Sequence, residues 1–259
     1  MDTNNNLVLG AAFNYKPDQI RPFVHSLRKH YDGKIALLVN SMDDALAAFF
    51  EQYRIDAVKI DEAVDFKWIC VNRFRMYHDY LARTHCDKVM LADVRDIVFQ
   101  ADPFSLVPAR SLAFCSEPEM IGNCSINARW YRDLLGEEEL NKVRAKNILC
   151  GGTIYGHRQS ILNFIAIFWN EFTNLMRQNR GFGQCDQALI NYLAYNVLED
   201  WDKFDTFKSD VATLYHTRLL TFNRNGQLVN EDGTVIPVLH QYDRLVPFVN
   251  HFVNTALAA

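Results

Sequence analysis

The sequence predicts an α/β protein with a mostly parallel central sheet flanked by helices, and three observations carry that expectation. Through residue 60, apolar strand-like runs alternate with helix-patterned segments. This βαβαβ order implies parallel strands joined by right-handed crossovers. Val89, Met90, Leu91 and Ala92 then form an unbroken apolar run, as a strand buried on both faces requires. The run stops at Asp93, with Asp96 close behind, so the strand delivers two carboxylates at its C-terminal tip. Open α/β sheets bind ligands in the crevice beyond such tips.

Residues 7–13 read as the first strand, broken by Asn14-Tyr15-Lys16-Pro17. Residues 18–31 follow as a helix with Ile20, Phe23, Val24 and Leu27 on one face. Asp32-Gly33 stops it, and residues 34–40 form the second strand. Ser41 is expected to cap a helix running to Tyr53, with a third strand at 55–60. A longer helix, 67–83, leads into the strand that ends at Asp93.

Beyond residue 105 the regularity falls. A fifth strand is expected at 111–115, a lid-like loop at 116–129, and short helices at 130–135 and 137–146. Residues 148–155 read as a strand holding Gly151-Gly152, and glycine inside a strand points to a close approach by a ligand or another backbone. Helices at 160–177 and 184–196 follow. Short strands at 211–215 and 235–240 then flank a hairpin-type turn at Asn225-Gly226. With no repeat and no linker visible, the 259 residues read as one domain, 1–259. Its halves are a nucleotide-binding part at about 1–105 and an irregular acceptor-side part at about 106–259.

Composition narrows the function classes. Hydrophobic residues at 49% and aromatics at 13% allow a sizeable core and exclude a disordered chain. A net charge of −4 argues against a nucleic-acid surface, which needs a basic field. Six scattered cysteines (Cys70, Cys86, Cys115, Cys124, Cys150, Cys185) without a Cys-x-x-Cys pair read as reduced residues of a cytoplasmic protein. His85-Cys86 lacks zinc-finger spacing. The polar first residues carry no leader pattern, and the most apolar stretch, 161–169, is too short to span a bilayer.

Two hard oxygen ligands at the strand tip suit Mg²⁺ or Mn²⁺, and such an ion suits a diphosphate. The competing reading is a turn in which Asp93 caps a helix and Asp96 pairs with Arg95. Residues 86–93 resemble the strand leading to the Asp-x-Asp motif of GT-A fold glycosyltransferases, most of all the retaining group that includes glycogenin and bacterial galactosyltransferases. Asp93 and Asp96 fall on the two motif carboxylates, one residue further apart than the family pattern.

Other segments agree in order. Residues 10–15 are similar to the family's first strand and nucleotide loop, with Ala12 where an acidic residue often contacts the base. Arg73-Phe74 resembles its donor-facing Arg, and residues 147–155 its Asn-x-Gly-x strand, with Gly152 in the glycine role. Asp186-Gln187 followed by Ala188-Leu189-Ile190-Asn191 is close to its Asp-Gln-x-x-Leu-Asn helix. Val238-Leu239-His240 resembles the strand whose His completes the metal shell, and Arg244 stands nearest to a Lys that usually follows.

The resemblance implies a GT-A, Rossmann-like fold and transfer of a sugar from a UDP- or GDP-sugar to a saccharide or other hydroxyl acceptor. It implies Mn²⁺ or Mg²⁺ on Asp93, Asp96 and His240. Donor contacts would come from Ala11, Phe13, Asn14, Arg73, Asp93, Gly151, Gly152 and Arg244. Gln187 would lie beneath the anomeric carbon of a retaining reaction, with Asp186 holding sugar hydroxyls or serving as base of an inverting one. By analogy Trp130, Tyr131 and residues 116–129 border the acceptor.

Duller readings stand beside these. His240 could be a core histidine and Asp186 a helix N-terminal acid. Arg73 could be solvated, and the glycine pair could serve packing. A sugar nucleotidyltransferase wants a Gly-rich, Arg-containing loop after the first strand, which residues 13–16 do not supply. An aspartyl phosphohydrolase normally places its Asp at the first strand tip, here without one. A non-catalytic sugar- or nucleotide-binding protein remains the other alternative.

Overall fold

The computed structural model describes residues 5–60, 68–105, 110–178, 186–206, 208, 210–214, 220–245 and 250–251. Strand β1 (Leu7–Ala11) pairs in parallel with β2 (Lys34–Val39) on one side and β4 (Lys88–Asp93) on the other. β3 (Asp56–Lys59) adds in parallel to β2. Beyond β4 lie β7 (Asn147–His157), antiparallel to it, then β6 (Leu112–Met120), antiparallel to β7, then β8 (Asp202–Phe204), parallel to β6. The seven-stranded order is β3-β2-β1-β4-β7-β6-β8, with β7 alone running against the rest. The expected α/β class and mostly parallel sheet are therefore present.

Successive residues of one strand enter opposite faces, as the period of two demands. Leu7 and Leu9 join a core beneath α3 (Ile69–Arg83), α4 (Ser125–Leu135), α5 (Glu137–Val143), α6 (Arg158–Arg177) and α7 (Asp186–Asn196). Val8 joins the other core, beneath α1 (Pro17–His30) and α2 (Asp44–Gln52). On that second face sits a smaller sheet, in which β12 (Val238–His240) lies between β5 (Ile97–Phe99) and β9 (Val211–Thr213). A hairpin of β10 (Thr221–Phe222) and β11 (Leu228–Val229) turns at Asn225-Gly226, where Gly226 has φ 75°.

Three sequence expectations shift. Asp43, not Ser41, caps α2, its Oδ1 accepting from the Leu46 N–H at 2.8 Å. The short strand β5 lies inside the stretch read as a carboxylate-bearing turn. Residues 116–129 are not one loop: β6 continues to Met120 and α4 begins at Ser125. Pro118 and the flanking polar residues obscured this strand. Its register against β7 shifts on both sides of Ser116, and such an irregularity is where a strand tolerates proline. The expected helix starts at residues 67 and 184, the strand end at 215, and Cys185 lie outside the described residues. The five described cysteines are free.

Candidate functional site

The strand order reverses between β1 and β4, and this is where ligands of open α/β sheets bind. Asp93 stands there opposite Ala11. Asp96 leads directly into β5, and the antiparallel pairing of β5 with β12 sets His240 opposite Ile97. The Tyr242 N–H donates to the Asp96 carbonyl at 3.3 Å and closes the same corner. One donor atom from each of Asp93, Asp96 and His240 lies within 4.8 Å of the others.

His240 Nε2 is 3.5 Å from Asp96 Oδ1, yet it is buried without a hydrogen-bond partner. Buried polar atoms are seldom left so. A Cβ on Gly152 would stand 2.6 Å from His240 Cε1 and 2.7 Å from Asp93 Oδ2, so only glycine leaves room between these two side chains. Two carboxylates, an unmatched imidazole nitrogen and a gap kept by glycine form a donor set that could hold a metal ion. Burial works against charge on both partners of the Asp96–His240 pair. Their mutual attraction outweighs it, holding Asp96 below the usual carboxylate range. His240 is held well above its usual range, with the Cys150 sulfur and Asp96 opposing the effect of burial.

Arg73 occupies the next position along. It is nearly buried, with a side chain 16% exposed, and its guanidinium bridges Asp93 and Asp186. Nη1 donates to Asp93 Oδ1, and Nη2 donates to Asp186 Oδ2 at 2.6 Å and to the Gly151 carbonyl at 3.3 Å. The solvated reading of Arg73 is thus corrected, and its donors point to protein carboxylates. Gly151 itself is tight against α7, since a Cβ there would meet Ile190 Cδ1 at 3.2 Å and Asp186 Oδ2 at 3.3 Å. Burial raises the Asp186 carboxyl even though Arg73 opposes the shift.

Gln187 accepts from the Gly151 N–H at 3.1 Å and donates to Asn127 Oδ1 at 2.9 Å and Glu117 Oε1 at 3.2 Å. Glu117 was not singled out in the sequence, where it sat in an expected loop. In the fold it is a buried residue of β6, 4% exposed, and burial pushes its carboxyl up to about 7. The signal for it was the apolar run just before it, residues 112–115, which the strand simply extends. Asn191 has a scaffold role, its amide bonding both the N–H and the C=O of Leu149 at 2.8 Å.

Ala11, Phe13, Arg73, Asp93 and Asp96 line a cleft of about 270 Å³ together with Tyr15 and Arg95. Asn14 is a turn residue at φ 59°, exchanging hydrogen bonds with Asn40. Arg244 is half exposed beside Asp243, and its charge helps hold Asp96 down. Tyr131 is not at a surface: it is 1% exposed in the core, and its hydroxyl accepts from Asn196. Trp130 packs partly buried against the same core.

No protein-family model matches the chain, and no curated protein matches it either. Among the described residues no helix is long and apolar enough to cross a membrane.

Proposed function

We propose that the protein is a metal-dependent glycosyltransferase of the GT-A kind, moving a sugar from a nucleotide-sugar donor to an acceptor hydroxyl. The observation that carries this reading is the meeting of Asp93, Asp96 and the unpartnered His240 Nε2 at the sheet's switch point, beside the cleft. A divalent ion held by these three residues would supply Lewis-acid stabilisation of a leaving diphosphate. Arg95, lining the cleft, adds a cation able to hydrogen-bond phosphate oxygens. Arg73 fixes Asp93 and Asp186 relative to one another, so the carboxylates need not reorganise during reaction.

Retention of configuration fits Gln187, an amide without a useful pKa that is held by Gly151, Asn127 and Glu117. Inversion needs a general base, and one observation favours Glu117 for that role over Asp186. A carboxyl raised to about 7 is matched to proton abstraction near neutral pH, whereas Asp186 is locked to Arg73. The test is a screen of UDP- and GDP-sugars with Mn²⁺, reading sugar release and transfer, followed by proton NMR of the first-formed product. The expected product keeps the donor's anomeric configuration. An inverted product moves the chemistry to Glu117, and no turnover with any donor overturns the transferase reading.

A further inference from the structure

His240 has two ring nitrogens, and they meet different surroundings. Nε2 faces Asp96 and the gap kept by Gly152. Nδ1 lies 3.2 Å from Cys150 Sγ, and the same sulfur accepts from the Gly152 N–H at 3.4 Å. An ion held at this corner would displace a ring proton, and the neutral imidazole then carries one N–H, so Nε2 presents a lone pair only if that proton sits on Nδ1. A proton on Nδ1 needs an acceptor, and the ring, 2% exposed, cannot turn to water for one. Cys150 is itself buried at 2%. Its sulfur already accepts the Gly152 N–H, so it serves as an acceptor at this corner.

We infer that Cys150 is a positioning residue for His240, its sulfur accepting the Nδ1 proton and thereby turning the Nε2 lone pair towards Asp93 and Asp96. The inference rests on the metal-binding reading of that corner. Ligating histidines ordinarily give their second N–H to an oxygen; here a sulfur from β7 of the larger sheet takes the place. The rival arrangement has the Cys150 S–H donating to Nδ1, which leaves the proton on Nε2 and removes His240 from any ligand set.

Two measurements separate these arrangements without relying on turnover. Long-range ¹⁵N–¹H NMR of histidine-labelled protein saturated with Mg²⁺ reads the tautomer, and Nδ1–H with an unprotonated Nε2 is expected for His240. Mn²⁺ titration, followed by loss of the hydrated-ion electron paramagnetic resonance signal, compares wild type with Cys150→Ala and Cys150→Ser. Loss of the acceptor is expected to weaken Mn²⁺ binding about 10- to 100-fold, while serine, which keeps an acceptor, stays within about threefold. An Nε2–H signal overturns the inference, as does wild-type affinity in Cys150→Ala or an equal loss in both variants. If Cys150→Ala fails to fold, the tautomer spectrum of the wild type and the serine variant decide. Wild-type protein that binds no Mn²⁺ removes the metal reading and this inference with it. Binding that is indifferent to Cys150 removes only the inference.

Discussion

Two corners of the site differ in how fully their polar atoms are matched. Around Arg73, donors and acceptors interlock: the guanidinium serves Asp93, Asp186 and the Gly151 and Cys70 carbonyls. Next to it Gln187 ties together Gly151, Asn127 and Glu117. At the other corner His240 Nε2 is buried with no partner, facing a gap that a single Cβ would fill. The first corner is a finished frame that needs nothing further to hold its shape. The second leaves a buried ring nitrogen unbonded, and the pairing of β12 with β5 and β9 holds His240 in place. A frame of the first kind should be sensitive to mutation whether or not ligand is present, and the second should respond to ligand.

The sharpest way to break this comparison is to remove Arg73. Arg73→Ala leaves Asp93 and Asp186 facing one another without their shared cation. We expect a loss of about 3 kcal/mol, the low end for breaking a buried pair, because Asp93 is one-third exposed. Urea unfolding measures it, and a midpoint within error of wild type would return Arg73 to a donor-facing role alone.

The unmatched corner is tested with metal. Mn²⁺ at about a hundred times its Kd should raise wild-type stability by about 2.7 kcal/mol, and Asp96→Ala, compared with and without the ion, should lose that gain. Thermal unfolding with Mn²⁺ and with chelator reads both. Equal Mn²⁺ stabilisation in the variant would clear Asp96 of metal binding.

An effect confined to one pH window sharpens the matched corner. The Glu117 carboxyl is raised from 4.5 to about 7 by burial, so the folded state holds its proton more tightly than the unfolded chain. This contribution is full below about pH 4.5 and disappears as pH rises through about 7, a decline on the order of 3 kcal/mol. Glu117→Gln should flatten stability across that window, leaving the two proteins closest in acid. Parallel curves for the two proteins would show that Glu117 ionises like a surface carboxylate.

The parallel half was legible because its signals are local. Runs such as 35–39 and 89–92 are buried along their length and read as strands without knowledge of their neighbours. Asp93, Asp96 and His240 were legible as residue types at strand ends, and the fold brings all three together. What escaped depends on tertiary pairing. β5 is three residues long, too short for any periodicity, and exists through its pairing with β12. Glu117 turns inward only because β6 runs on past Ser116 through an irregular register, which Pro118 disguises. Arg73 was read as facing the donor or solvent, because a sequence does not show two carboxylates closing on one guanidinium from β4 and α7.

The position of β12 also orders events in time. Synthesis runs from the N-terminus, so β1, β4 and both carboxylates are made well before residue 240 emerges from the ribosome. His240 joins them only when β12 slots between β5 and β9, a closure between segments distant along the chain. A nascent chain that has passed Asp96 but not yet β12 holds an acidic loop with no imidazole. On the metal-binding reading, tight ion capture would therefore be reserved for a polypeptide that has finished folding, and a premature ion would not lock β4 in place before its neighbours arrive.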